Sequence, residues 1–217
     1  MKKVYNFGIN DVDYKTQVYT GDKGDRKITW TCPIYRRWKF ILRKCLTKQI
    51  VGYEDCCISD KWARLSDFKM WLESNPDWKD LEIDKDILIK GNREYGPDTC
   101  VLVPSWINSL IVTRSRDRGE YPIGVHFVKD KRCTKDYPKP YFSQLRTGDG
   151  NREYLGVFET PQEAHRAWQL AKYNQIIKTV ERYKKFSNFY ESVVVSLLSR
   201  AEKIKNDYEQ KIETLDF

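Results

Sequence analysis

Histidine is almost missing from this chain. Only His126 and His165 occur in 217 residues, so few neutral bases are on hand for proton transfer near pH 7. No Cys-x-x-Cys pair occurs among the six cysteines, Cys32, Cys45, Cys56, Cys57, Cys100 and Cys133, which removes zinc-ribbon spacing. In a reducing compartment these thiols are expected to be small buried side chains rather than disulfides. The alternative is a structural zinc site from Cys32, Cys45, Cys56 and Cys100 brought together by folding, but no local spacing supports it and zinc is not expected. No apolar run approaches the length of a membrane span, and no signal-peptide pattern follows Met1. A cytoplasmic location and no membrane partner are the expectations.

Cationic and aromatic side chains are plentiful. Lys and Arg outnumber Asp and Glu by 39 to 31, which gives a net charge of +8. That balance favours a polyanionic partner, nucleic acid first. Seven Trp, 14 Tyr and 9 Phe supply bulk for one or two cores.

Residues 1–30 are polar, with Gly8, Gly21 and Gly24, and read as an extended arm with short strands near 4–7 and 27–31. Pro33 can open a helix carrying Tyr35, Trp38, Ile41, Leu42 and Cys45 on one face and Arg36, Arg37, Lys39, Arg43 and Lys44 between them. A second helix, capped by Ser59-Asp60, would bury Trp62, Leu65, Phe68, Met70, Trp71 and Leu72, and Asn75-Pro76 would end it.

Residues 81–108 organise the first half of the chain. They read as a short strand, turns at Gly91-Asn92 and Tyr95-Gly96-Pro97, an apolar strand over 100–104, and a helix from Ser105. The pieces Asp84-Lys85, Gly91-Asn92, Pro97-Asp98-Thr99-Cys100, Val103-Pro104 and Asn108 resemble the HNH (His-Me finger) nucleases of bacteriophages, as does Phe7-Gly8-Ile9-Asn10-Asp11 near the start. The resemblance implies a ββα finger, with Lys85, Asp86 and Asn92 at catalytic positions. It also implies a magnesium or manganese ion held by Asp84, Asp86 and Asn108. The family's general-base histidine is replaced by Lys85, or by Asp86 one residue on. A lysine, with an ordinary pKa near 10.4, is a poor base at neutral pH.

Residues 111–120, with Arg114, Arg116 and Arg118, read as a basic linker. Three strands follow, over 124–128, 140–146 and 152–158, the last two joined by Thr147-Gly148-Asp149-Gly150-Asn151. Thr160, Pro161 and Glu163 form a capping-box start for a helix with Ala164, Ala167, Trp168 and Ala171 inward and His165 as a surface or packing residue. The string from Tyr154 through Gly156-Val157-Phe158 to Ala164 resembles the AP2 DNA-binding domain, a three-stranded antiparallel sheet backed by one helix. The resemblance implies a sheet laid in the major groove of duplex DNA. His126, Lys129, Gln144, Arg146, Arg152 and Tyr154 would touch DNA, with Arg114 and Arg116 on the phosphates. The tail carries a helical stripe, Tyr190, Val193, Val194, Leu197, Leu198, Ala201 and Ile204, that either covers the sheet or self-associates.

The expected fold is therefore α+β. It comprises an N-terminal helical region around a degenerate ββα finger (1–111), a linker (112–120), an AP2-like sheet and helix (121–185) and a helical tail (186–217). The expected function is that of a phage-encoded double-stranded-DNA-binding protein of the host cytoplasm, related to homing endonucleases, with catalysis lost or altered. One alternative is an active metal-dependent HNH endonuclease. Another is a phage protein that binds a host factor.

Overall fold

The computed structural model describes residues 3–22, 24–112, 119–128, 139–148 and 150–217. Arg114, Arg116 and Lys129 lie outside the described residues, as does most of the linker. The protein is α+β and divides into two compact units, Met1–Val103 and Pro104–Phe217.

The first unit is built on α1 (Pro33–Leu46), which Pro33 opens at its first turn. Its stripe of Ile34, Tyr35, Trp38, Ile41, Leu42 and Cys45 is buried. Trp38 and Leu42 have no exposed surface, and the Trp38 indole nitrogen donates to the Trp62 carbonyl at 2.8 Å. Arg37 lies on the face read as basic and solvated, but its guanidinium is occupied. It donates to the carbonyls of Trp78, Lys79 and Leu81 at 2.8–2.9 Å and stacks on the Trp78 ring. Ser59 opens only a short 3-10 turn, and α2 (Leu65–Glu73) begins later. Leu65, Phe68 and Leu72 are buried, whereas Met70 is 70% exposed, contrary to its expected place on the apolar face. Phe68 and Leu72 keep the i, i+4 spacing of one face, and Met70, two residues on from Phe68, falls off it.

Before α1, β1 (Gln17–Thr20) and β2 (Lys27–Thr31) form an antiparallel hairpin. Near 4–7, where a strand was expected, there is only an isolated bridge between Val4 and Gly8. The Phe7-Gly8-Ile9-Asn10-Asp11 phrase has a physical role. A Cβ on Gly8 would come within 2.6 Å of Trp38 and Leu42, so only glycine lets the arm lie on α1. Ile9 bridges to Arg64, and the Asp11 carboxylate accepts from the Ser66 backbone N–H (3.0 Å), the Ser66 hydroxyl (2.7 Å) and Arg64 (3.3 Å). Asp11 thus caps α2 from a distance.

Burial alone would raise the Asp11 carboxyl, but the bonds from Ser66 and Arg64 outweigh it and hold the group below its ordinary value. A depressed carboxyl contributes stability above its unfolded pKa and loses it as pH falls through the folded one. Asp11→Ala is expected to cost about 1 kcal/mol at pH 7 and much less near pH 3. Urea midpoints at the two pH values check this, and equal losses at both would remove the cap from the account.

The rest of the first unit is strand and loop. The strands β3 (Cys57–Ile58) and β5 (Glu94–Tyr95) pair in parallel, and β4 (Glu82–Asp84) and β6 (Val101–Val103) pair antiparallel, Asp84 opposite Val101. Leu81, Tyr95, Cys100 and Leu102 join the core formed by α1 and α2, because two short strands cannot bury enough surface alone.

The division between units falls between β6 and α3 (Ser105–Asn108), not after residue 111. The reason is local tethering. The Leu110 carbonyl accepts from Lys172 at 2.6 Å, the Ser109 hydroxyl donates to the Gly148 carbonyl, and Trp106 packs on Tyr183 and under Arg182.

In the second unit, β7 (Val125–Phe127), β8 (Tyr141–Arg146) and β9 (Arg152–Phe158) form one antiparallel sheet in that order. Behind it lies α4 (Pro161–Tyr183), started by the expected capping box: the Thr160 hydroxyl accepts from the Glu163 N–H at 3.2 Å and the Glu163 carboxylate accepts from the Thr160 N–H at 3.3 Å. Gly124, at φ +80°, is required twice over, since a Cβ there would sit 2.1 Å from Trp168. Ala164 and Trp168 are buried as expected, but Ala167 and Ala171 are only half-buried. The inner stripe instead runs Ala164, Trp168, Lys172, Ile176, Val180. Finally, α5 (Glu191–Glu209) packs along α4 through Val193, Val194, Leu197, Ala201 and Ile204 rather than lying over the sheet.

Candidate nucleic-acid interface

The cross-strand register of the sheet decides which side chains share a face. His126 is opposite Phe142, Gln144 opposite Tyr154, and Arg146 opposite Arg152. Residues paired in this way point to the same side, and Phe142, Gln144 and Arg146 alternate along β8. His126, Phe142, Gln144, Arg146, Arg152 and Tyr154 therefore occupy one face, while Val125, Ser143 and Leu145 are buried on the other. Five of the residues expected to touch DNA are in this set. The ring of His126 stacks on Phe142 at 5.0 Å, and Phe142 lies 6.4 Å from Tyr154, which is 59% exposed.

The face is cationic. Arg146 and Arg152 stand directly across the ladder, and among the described residues neither guanidinium has an ion-pair partner. Like charges placed directly opposite destabilise a sheet unless an anion bridges them. Burial, and then the charge of Arg152, push the His126 pKa down, so its ring is neutral at pH 7 and adds an aromatic surface with two polar edges.

A cavity of about 350 Å³ opens at this end of the sheet. It exists because β7 pairs with β8 from Tyr141 to Ser143, Gln144 still donates its N–H to the Gly124 carbonyl at 2.9 Å, and residues 145–146 run on past that end. His126, Gln144, Arg146 and Arg152 line it from the strands, and Trp168 and Lys172 line it from α4. Lys172 was not singled out by sequence. It is only 5% exposed, it donates to the carbonyl of Leu110 (2.6 Å) and the side-chain oxygen of Gln175 (3.0 Å), and it lies 5.4 Å from the Phe217 ring. Burial lowers its pKa to about 7.

His165 is a linchpin of the second unit rather than a surface residue. It is 3% exposed, with Nδ1 2.9 Å from the Ile123 carbonyl and Nε2 3.0 Å from the Thr214 N–H. The carbonyl needs a donor and the N–H needs an acceptor, so the ring is the neutral Nδ1–H form.

The residues in the first unit that carry the HNH resemblance are engaged in local hydrogen bonds. Lys85 is buried, and its ammonium contacts both oxygens of Asp86 and the Asn92 carbonyl, each at 2.7 Å. All three of its protons are engaged. Asn92 is a loop clamp: its amide donates to the carbonyls of Lys85 and Glu94 and its oxygen accepts from the Glu94 N–H. Asp84 Oδ1 accepts from the N–H groups of Asp86 (2.7 Å) and Ile87 (2.6 Å), and burial raises its pKa despite those bonds.

These residues do not fit a magnesium or manganese ion. The Lys85 ammonium already holds both carboxylate oxygens of Asp86, which the ion would need. Among the described residues no three His, Cys, Asp or Glu are grouped to hold a metal. Cys32, Cys45, Cys56 and Cys100 share the first unit's hydrophobic core, where burial pushes the Cys45 and Cys100 thiols up to about 12. In that core they pack as small apolar side chains. No described helix is long and apolar enough to cross a membrane. No protein-family model, curated protein or solved structure matches the chain.

Proposed function

We propose that this chain is a double-stranded-DNA-binding protein that reads the duplex with the exposed face of its β7-β8-β9 sheet and does not cut it. The observation that carries this reading is the register that sets Arg146 and Arg152 side by side, without an ion-pair partner among the described residues, on a face with Gln144, His126 and Tyr154 and no acidic side chain in its cross-strand pairs. Guanidinium groups can bind guanine bidentately or clamp a phosphate, and a glutamine amide matches adenine. Support also comes from the AP2-like string over 154–164 and from the net charge of +8. In this reading the HNH-like segment is a retained scaffold of phage homing-endonuclease ancestry, acting in the cytoplasm of the host cell.

Binding to random-sequence duplex is expected to be salt-sensitive, log K falling by about 0.9 per log unit of salt for each phosphate neutralised. Fluorescence anisotropy between 50 and roughly 200 mM salt tests it. Affinity that stays flat, or no binding, would end the reading. Plasmid nicking is expected from neither the wild type nor Asp86→Ala in magnesium or manganese. Nicking by the wild type that Asp86→Ala abolishes would instead establish the endonuclease alternative.

A further inference from the structure

The cavity at the open end of β8 is not needed by a sheet that simply lies in a groove. Three cations line it, Arg146, Arg152 and Lys172, and among the described residues none faces a carboxylate. Two of the three Lys172 ammonium protons are used, which leaves one for a ligand. Among the described residues the Gln144 side-chain amide has no hydrogen-bond partner either. The remaining wall is apolar: Trp168 and Phe217, whose rings lie 5.8 Å apart and are tilted 56° to each other, with Leu145 and Ile123. Unpaired cations want an anion, an aromatic wall wants a planar ring, and an amide with an ammonium wants the polar edge of that ring. A nucleotide combines all three. The volume, about 350 Å³, lies within the ~300–1,000 Å³ typical of small-molecule sites.

The mouth of the cavity is continuous with the sheet face, since His126, Gln144, Arg146 and Arg152 belong to both. We propose that the cavity takes a single nucleotide unstacked from the duplex, its phosphate at Arg146 and Arg152 and its base between the Trp168–Phe217 wall and the Gln144 and Lys172 polar groups. This rests on the reading of the sheet as a duplex-binding face. The low pKa of Lys172 fits the site, because an amine near its titration point can either donate to or accept from a base edge.

The test compares a fully paired duplex with the same sequence carrying a one-nucleotide bulge, whose extra base is already free of its partner. The wild type is expected to bind the bulged duplex roughly tenfold more tightly, since less unstacking is required. Lys172→Met and Lys172→Gln are expected to shrink that preference to about twofold or less. A photoreactive 5-iodouracil at the bulge should crosslink to Trp168 or Phe217 in the unaltered protein, a readout that needs no variant. Equal affinity for the two duplexes, or crosslinks confined to other residues, would overturn the inference while the duplex-binding reading stood. If neither duplex binds, the duplex-binding reading fails. Free deoxyadenosine monophosphate then decides the rest: protection of the wild type but not Lys172→Met against heat keeps the cavity as a site for free nucleotides, and no protection removes it.

Discussion

Alanine at Arg146 or Arg152 is expected to lower duplex affinity by on the order of ten- to a hundredfold, corresponding to about 1–3 kcal/mol for a lost bidentate contact. Each guanidinium is flanked by the other across the β8–β9 ladder, and among the described residues neither makes an ion pair. In the free protein the pair is repulsive, so removing one member should leave the fold as stable as before or slightly more so. In the complex both charges meet phosphate or guanine, and the loss should appear in affinity alone. The double substitution should bind more weakly than either single one and show a salt slope shallower by one to two phosphate contacts. Lys178→Ala, at an exposed position of α4, is the control. Losses as large at Lys178 as at Arg146 would mean that the charge acts in bulk and that the sheet face has no special role. Anisotropy titrations at one fixed salt, beside urea midpoints for each variant, separate these cases.

The second unit was the more legible half of the sequence. Its strands were expected over 124–128, 140–146 and 152–158 and fall at Val125–Phe127, Tyr141–Arg146 and Arg152–Phe158, because turn residues at 147–151 and the Thr160–Glu163 capping box punctuate them locally. What escaped was set by distant contacts. The neutral ring of His165 is fixed by Ile123 and Thr214, 42 and 49 residues away. Lys172 did leave a trace: positions 164, 168, 172, 176 and 180 form one i, i+4 row, and all five are buried. A lysine on an otherwise apolar row marks a buried amine, and reading the row as alanine-lined hid it. In the first unit, Lys85 stands where the HNH resemblance implies a histidine, while Asp84, Asp86 and Asn92 have residue types it implies. Their hydrogen bonds show them closing a turn upon one another, a distinction that spacing alone does not make.

The second large effect concerns Lys172. Stability is expected to rise with pH from about 7 to about 10, and Lys172→Met is expected to abolish most of that rise. In the unfolded chain the amine has the ordinary value of 10.5, whereas burial in the folded protein brings it to about 7. Between those values the unfolded state carries the extra proton, so raising the pH favours the folded state. Below about pH 7 both states are protonated and the full cost of burying an ammonium is present. Above about 10.5 both are neutral and the cost is gone. The span corresponds to on the order of 4–5 kcal/mol. Among the described residues no carboxylate contacts the amine to offset it: its neighbours are the Leu110 carbonyl, the Gln175 side chain and the Phe217 ring. Methionine keeps the length and apolar stem and loses the two hydrogen bonds, a penalty that does not change with pH. The informative quantity is therefore the difference in urea midpoint between wild type and Lys172→Met, measured across pH 7 to 10, in which the titration of other groups cancels. A difference that shifts steadily in favour of the wild type as pH rises supports a buried ammonium that folding discharges. Parallel curves would mean that the amine stays charged, held by an anion or by water reaching it through the cavity.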